Sequence, residues 1–561
     1  MPNLLKNNSF ILFLFLISGG LISAFLQYEA VWDFINYHYF NAWAFINGRV
    51  GYDVLLAGLN SFFNPLADVP LYYMIEYLND YPRIIYFIQG LWFGALWFVF
   101  YKICLMYLDV TTLRDKLVLI LCLLIALSGY ATFKQIGTST NEVMLAFLVM
   151  SGLYLLLKEL FEIKSGNWKT FVLSGFLFGS AMGLKLTAFI YCVVIGFCLI
   201  VFYKQVKFPI RNILLFTFSG LIGFLVFDGF WLWKMWQMFE NPFFPFANRF
   251  FKSSWLSVHN FTDNNFTPKN WSDFALWPLI QSFSFQRDEG KMFVADMRPA
   301  VIYFIFIGSV FVWLAKGVKN KNFAINPKWG FLILFFLLTY VMWAAVFSIV
   351  RYYIVWEMLA AIFIVKAIFG FSPKSVIGEG LYYSFLLLLT FSLLSTAYFS
   401  DKWGRRYDYK KIPTKQDHYF WVDDNVLIPD NTLFIMFDLP SSALFVEYFK
   451  RNPTIRGINV MQGSYIAEYD DGRKFDYFNY HPKWLEEKRK IINGHEGMVF
   501  LITVRENVNN LDFSKEEIFD SYECKTLKNN MVPFAQICVP KKLSKVLFKK
   551  QGDSDNAENI R

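Results

Sequence analysis

The sequence predicts a polytopic α-helical membrane protein with a small α/β domain on the outer side at its C-terminal end. Three observations lead there. Apolar runs of spanning length, roughly 17–25 residues each, recur as far as residue 398. Only 17% of the 561 residues are charged and 56% are hydrophobic, where a soluble protein carries about 25% charged residues. From residue 399 the composition returns to that of an ordinary soluble chain.

The apolar runs fall near 10–27, 84–107, 117–131, 142–160, 171–184, 186–203, 213–231, 300–315, 330–349, 352–370 and 380–398, giving about eleven spans. The first is followed by Gln27-Tyr28-Glu29 rather than a small-residue cleavage site, so it reads as an uncleaved anchor. Roughly fourteen lysines and arginines lie in loops on the side of the N-terminus, against Lys134, Lys185 and Arg351 opposite. That imbalance predicts a cytoplasmic N-terminus in a multi-pass membrane protein. It also accounts for the net charge of +9 without a nucleic-acid partner. Loops 28–83 and 232–299, and everything from residue 399, are then extracytoplasmic.

Within 1–398, taken as the membrane domain, loop 28–83 has apolar residues at helical spacing, as in Phe40, Ala44 and Phe45 and again from Leu71 to Leu78. Such stretches predict helices lying flat in the membrane interface. Loop 232–299 contains Asn241-Pro242-Phe243-Phe244-Pro245, and its prolines argue against continuous helix. In 399–545, the stretches 432–437 and 498–504 read as buried strands and 441–451 and 483–492 as helices. Residues 546–561 are polar and read as a disordered tail. Cys524 and Cys538 flank an Asn529-Asn530 turn and form a disulfide candidate in an exported domain; two free buried thiols are the alternative.

Asp33, just beyond the first span, is the leading candidate for a catalytic base. Its neighbours include His38, Asp53 and Asp68; the alternative is an N-cap of the following helix. Lys185 and Arg351 each interrupt an apolar region near the outer face. Together they could clamp a phosphate, and singly each could be a snorkelling anchor. Asp296 and Arg298 read either as substrate contacts or as a loop ion pair, and Glu142 reads as an N-terminal helix residue. The sequence has no P-loop, no Rossmann glycine pattern, no His-Glu-x-x-His and no serine elbow.

The run Asp33-Phe34-Ile35-Asn36-Tyr37-His38-Tyr39-Phe40-Asn41 resembles the first outer loop of the bacterial GT-C superfamily of integral-membrane glycosyltransferases. Phe63-Asn64-Pro65-Leu66, Gly183-Leu184-Lys185-Leu186-Thr187, Asn241-Pro242-Phe243-Phe244-Pro245 and Arg351-Tyr352-Tyr353 extend the resemblance, as does the Cys524 and Cys538 pair. It implies a GT-C-like membrane fold and a polyprenyl-phosphate-linked sugar as donor substrate. The acceptor would be an envelope glycan, lipid or protein. Asp33 would take the acidic role of the superfamily, with His38, Lys185 and Arg351 as substrate-binding residues. The paired acids common in the superfamily are absent, so the resemblance implies no cofactor and leaves a divalent metal optional. Two other classes fit a chain of this kind: a polysaccharide polymerase or ligase, and a non-enzymatic transporter or flippase. Internal repeats would favour the transporter, and none is evident.

Overall fold

A computed structural model describes residues 7–27, 31–258, 266–283, 296–320, 323–369, 418–423, 426–436, 442–460, 466–468, 474–476, 482–503, 521–531 and 535–548. These form two compact units, each drawn from separated stretches of chain.

The first unit comprises residues 1–28, 86–230 and 263–404. Ten of the eleven predicted runs lie in helices, and the eleventh, 380–398, falls outside the described residues. Seven helices among the described residues are long and apolar enough to cross a membrane, Asn8–Leu26 and Pro209–Phe239 among them. The chain is therefore built to embed in a membrane. Local chemistry sets where several helices begin. Asn7, Asn167 and Asn326 each accept a hydrogen bond from a backbone N–H two residues on, opening the helices that start at Asn8, Trp168 and Pro327. Thr112 and Asp115 form a reciprocal capping box at Leu113–Leu127.

Small residues then let helices meet at backbone distance. A Cβ on Gly179 would collide with the Gly220 carbonyl, and one on Gly94 would collide with the backbone at Phe15. Two expectations for loop 232–299 change. Helix Pro209–Phe239 runs eight residues beyond the predicted end at 231, because the first proline of the loop is Pro242. Trp271–Phe283 is helical with Pro278 inside it.

The second unit comprises residues 29–85, 231–262 and 405–561. Its five-stranded sheet contains β1 (Leu433–Met436), β2 (Arg456–Asn459), β5 (Val499–Thr503), β6 (Tyr522–Thr526) and β7 (Gln536–Pro540), in the order β2-β1-β5-β7-β6. A separate antiparallel pair joins β3 (Ile466–Glu468) to β4 (Lys474–Asp476). β1 pairs in parallel with β2 and β5, while β7 runs antiparallel to β5 and β6. The buried apolar runs of β1 and β5 suit central strands. Helices Ala443–Arg451 and Pro482–Asn493 match the predicted stretches 441–451 and 483–492. Cys524 faces Cys538 across the β6–β7 ladder, and the two are disulfide-bonded. Residues 546–548 are ordered: Ser544–Leu547 is helical and Phe548 bridges to Val426. The rest of the predicted tail lies outside the described residues.

The first loop belongs to this unit's core. The Val54 N–H donates to the Gly457 carbonyl at 2.9 Å, and the Asn459 N–H donates to the Val54 carbonyl at 3.0 Å, so the loop extends the sheet edge beyond β2. Val54, Leu59, Phe62 and Trp231 share a core with Leu433, Ile458 and Leu501. Every residue from Tyr39 to Ala44 is buried in helix Tyr39–Ile46. Its Tyr39, Phe40 and Trp43 rings are buried, while Phe45 is half-buried and Ile46 exposed.

Candidate functional site

In the second unit, the Asp33–Asn41 segment supplies the chemistry. Asp33 ends a short helical turn and has αR backbone geometry with no side-chain capping bond, so the N-cap alternative is not realised. Phe34–His38 that follows is π-helical. A π turn closes i to i+5, where an ordinary helix closes i to i+4. Residues five apart, such as Asp33 and His38, are thereby brought to one side of the chain. Short π segments of this kind occur frequently at functional sites. Both residues are buried, at 2% and 3% exposure.

His38 Nδ1 lies 2.7 Å from Asp68 Oδ1. The carboxylate can only accept, so Nδ1 carries the hydrogen. The other acid of the loop is engaged differently. Asp53 receives Arg49 Nε at 2.8 Å and Nη2 at 2.7 Å, and also the Gly457 N–H at 2.8 Å. Burial pushes the Asp53 carboxyl up, with Arg49 opposing that shift. Arg49 also donates to the carbonyls of Pro453 and Ile455 and lies over the rings of Trp43, Tyr52 and Phe449. Asn47-Gly48-Arg49 thus fixes the loop to the sheet. Tyr39 donates to Glu76 and Glu447 and accepts from Lys450 at 2.7 Å. Burial pushes its hydroxyl well above the ordinary tyrosine range.

In the first unit, Lys185 and Arg351 come together around a residue that the sequence suggested only as a helix start. Lys185 Nζ donates to Glu142 Oε1 at 2.6 Å and to the Thr140 carbonyl at 3.1 Å. Arg351 Nε lies 3.9 Å from the same Glu142 oxygen. Both cations lie over the Tyr352 ring. Glu142 lies in the first turn of its helix, and Asn141 before it is left-handed with φ 66° and makes no side-chain cap. Glu142, Arg351, Tyr352, Thr187 and Tyr191 line a small adjoining cavity.

Asp296 and Arg298 form a second, fully interior cluster. Arg298 Nη1 donates to both Asp296 oxygens at 2.9 Å, while Nη2 donates to the Ile125 carbonyl at 2.9 Å and Ser128 Oγ at 2.6 Å. Close by, Glu357 accepts from the Ala131 and Thr132 N–H groups at 3.1 and 2.8 Å and from Thr132 Oγ1 at 2.6 Å. A Cβ at Gly129 would meet the Glu357 carboxylate. These contacts tie the chain around residues 125–132 to two other helices. Arg298 is wholly buried, and removing one member of a buried pair typically costs about 3–5 kcal/mol. Arg298→Ala is therefore expected to destabilise the detergent-purified protein on that scale, read as a lowered thermal midpoint, whatever its effect on activity.

The sequence signal for Glu357 was available, as a carboxylate inside an apolar run. No signal pointed to Asp68 as the partner of His38, thirty positions away. Among the described residues no group of three or more histidines, cysteines and acids gathers as a metal-ligand set. No family model matches the chain, and comparison with curated proteins gives no significant match.

Proposed function

We propose that the protein is a membrane glycosyltransferase. It would move a sugar from a polyprenyl-phosphate carrier to an acceptor of the cell envelope, on the extracytoplasmic face. The observation that carries this reading is the placing of two cations, Lys185 and Arg351, side by side at Glu142 among membrane-spanning helices. Paired cations among such helices suit a phosphate, which accepts charge-assisted hydrogen bonds from both.

In this reading the acceptor oxygen attacks the anomeric carbon as the bond from that carbon to the phosphate oxygen breaks, with inversion. The hydroxyl proton passes to Asp33. The polyprenyl phosphate leaves with the bonding pair, its charge stabilised by Lys185 and Arg351. Outside the cytoplasm no nucleotide-activated sugar is at hand, so a lipid-linked donor fits the proposed topology. The Cys524–Cys538 disulfide supports an oxidising location for the second unit.

The test is reconstitution of the purified protein in liposomes with radiolabelled polyprenyl-phosphate sugars and membrane extract as acceptor. Label moving from lipid to acceptor supports the reading. Label that only crosses the bilayer, still attached to its lipid, would make the protein a flippase instead.

A further inference from the structure

Asp68 engages only one edge of the His38 ring. The other nitrogen, Nε2, is buried and has no hydrogen-bond partner among the described residues. With Nδ1 carrying the hydrogen toward Asp68, Nε2 of the neutral ring is a bare acceptor. The ring cannot easily turn to exchange its nitrogens, because the Asp68 bond is short and the ring packs on Tyr37 with centroids 4.1 Å apart.

Two neighbours in the same segment share this condition. Asn36 is 1% exposed, and neither its amide oxygen nor its nitrogen has a partner among the described residues. Asn41 donates through Nδ2 to the Asn60 carbonyl at 2.8 Å but leaves Oδ1 unmatched. Leaving buried polar atoms unpaired is costly, and native proteins do so rarely. Six consecutive residues here hold four such atoms, three acceptors and one donor. A phosphate or carboxylate, which only accepts, would meet the wrong partners. A carbohydrate ring offers several hydroxyls on one small body, each able to donate and to accept, and matches the set.

We propose that His38, with its tautomer fixed by Asp68, receives a hydrogen bond from a hydroxyl of a sugar ring, and that Asn36 and Asn41 hold further hydroxyls of the same ring. The second unit then carries a carbohydrate subsite of its own. The inference rests on the glycosyltransferase reading for its place in the reaction, but the subsite is defined by binding. His38 is a positioning residue here: it orients a hydroxyl and takes no proton.

The chain has five histidines, so histidine-selective ¹⁵N labelling with His38→Gln as the assigning variant isolates the His38 signals. The expected spectrum has a protonated Nδ1 and an unprotonated Nε2, with the Nε2 resonance moving on addition of methyl hexosides or methyl pentosides. In the transfer assay His38→Gln, whose amide oxygen can stand near Nε2, should keep most of the activity. His38→Ala should raise one KM about tenfold, the worth of one hydrogen bond, with kcat little changed. A rise in the donor KM places the ring on the donor, and a rise in the acceptor KM places it on the acceptor. A protonated Nε2, an Nε2 indifferent to every glycoside, or Gln and Ala variants equally impaired would each overturn the proposal. If Nε2 responds to glycosides while the wild type transfers no sugar, the subsite stands and the transferase reading alone falls.

Discussion

Asp33→Asn is expected to lower sugar transfer by about 10²–10⁴-fold, the usual contribution of a positioned base, with the fold unchanged. The substitution is isosteric, and Asp33 is buried in a helical turn where it makes no capping bond. Asparagine keeps the side chain's shape and lacks the carboxylate that would accept the proton. The check is label transfer by wild-type and variant protein at matched reconstitution, with thermal midpoints compared in parallel. A variant that is equally stable and equally active would take Asp33 out of the base role. A variant that is both unstable and inactive would assign it to structure.

The second large effect is at the cation pair. Lys185→Met should cost about 10²–10³-fold in transfer, as losing one charge-stabilising donor does. It would also leave the Glu142 carboxylate, 4% exposed, with Arg351 at 3.9 Å as its remaining cation among the described residues, so stability should fall as well. Combining Lys185→Met with Glu142→Gln separates the two effects. The double variant removes both buried charges and should regain stability, yet it cannot regain the phosphate contact, so transfer should stay low. Recovery of activity along with stability would show that Lys185 serves only to neutralise Glu142.

What could be read in the sequence follows from how local each signal is. The long apolar runs depend on neighbours along the chain, and helices form close to where they predict. The strands at 432–437 and 498–504 and the pairing of Cys524 with Cys538 were legible for the same reason. Contacts set by helix rotation were not. Glu142 looks like a first-turn acid in sequence, and its role as the partner of Lys185 depends on which faces of two helices meet. The joining of Val54 to the β2 edge was equally hidden, because a single bridging residue leaves no alternating pattern to detect. Asp33 and His38 were legible as residues, but the π turn between them was not.

All of the proposed chemistry requires the first loop to face outward, where only lipid-linked sugars are available. Asn47 and Lys169 are both exposed, and cysteines placed there report on opposite sides of the proposed topology. In intact cells a membrane-impermeant maleimide should label Asn47→Cys and leave Lys169→Cys untouched until the membrane is opened. Labelling of Lys169→Cys alone in intact cells would put the Asp33 segment on the cytoplasmic side and contradict the assignment.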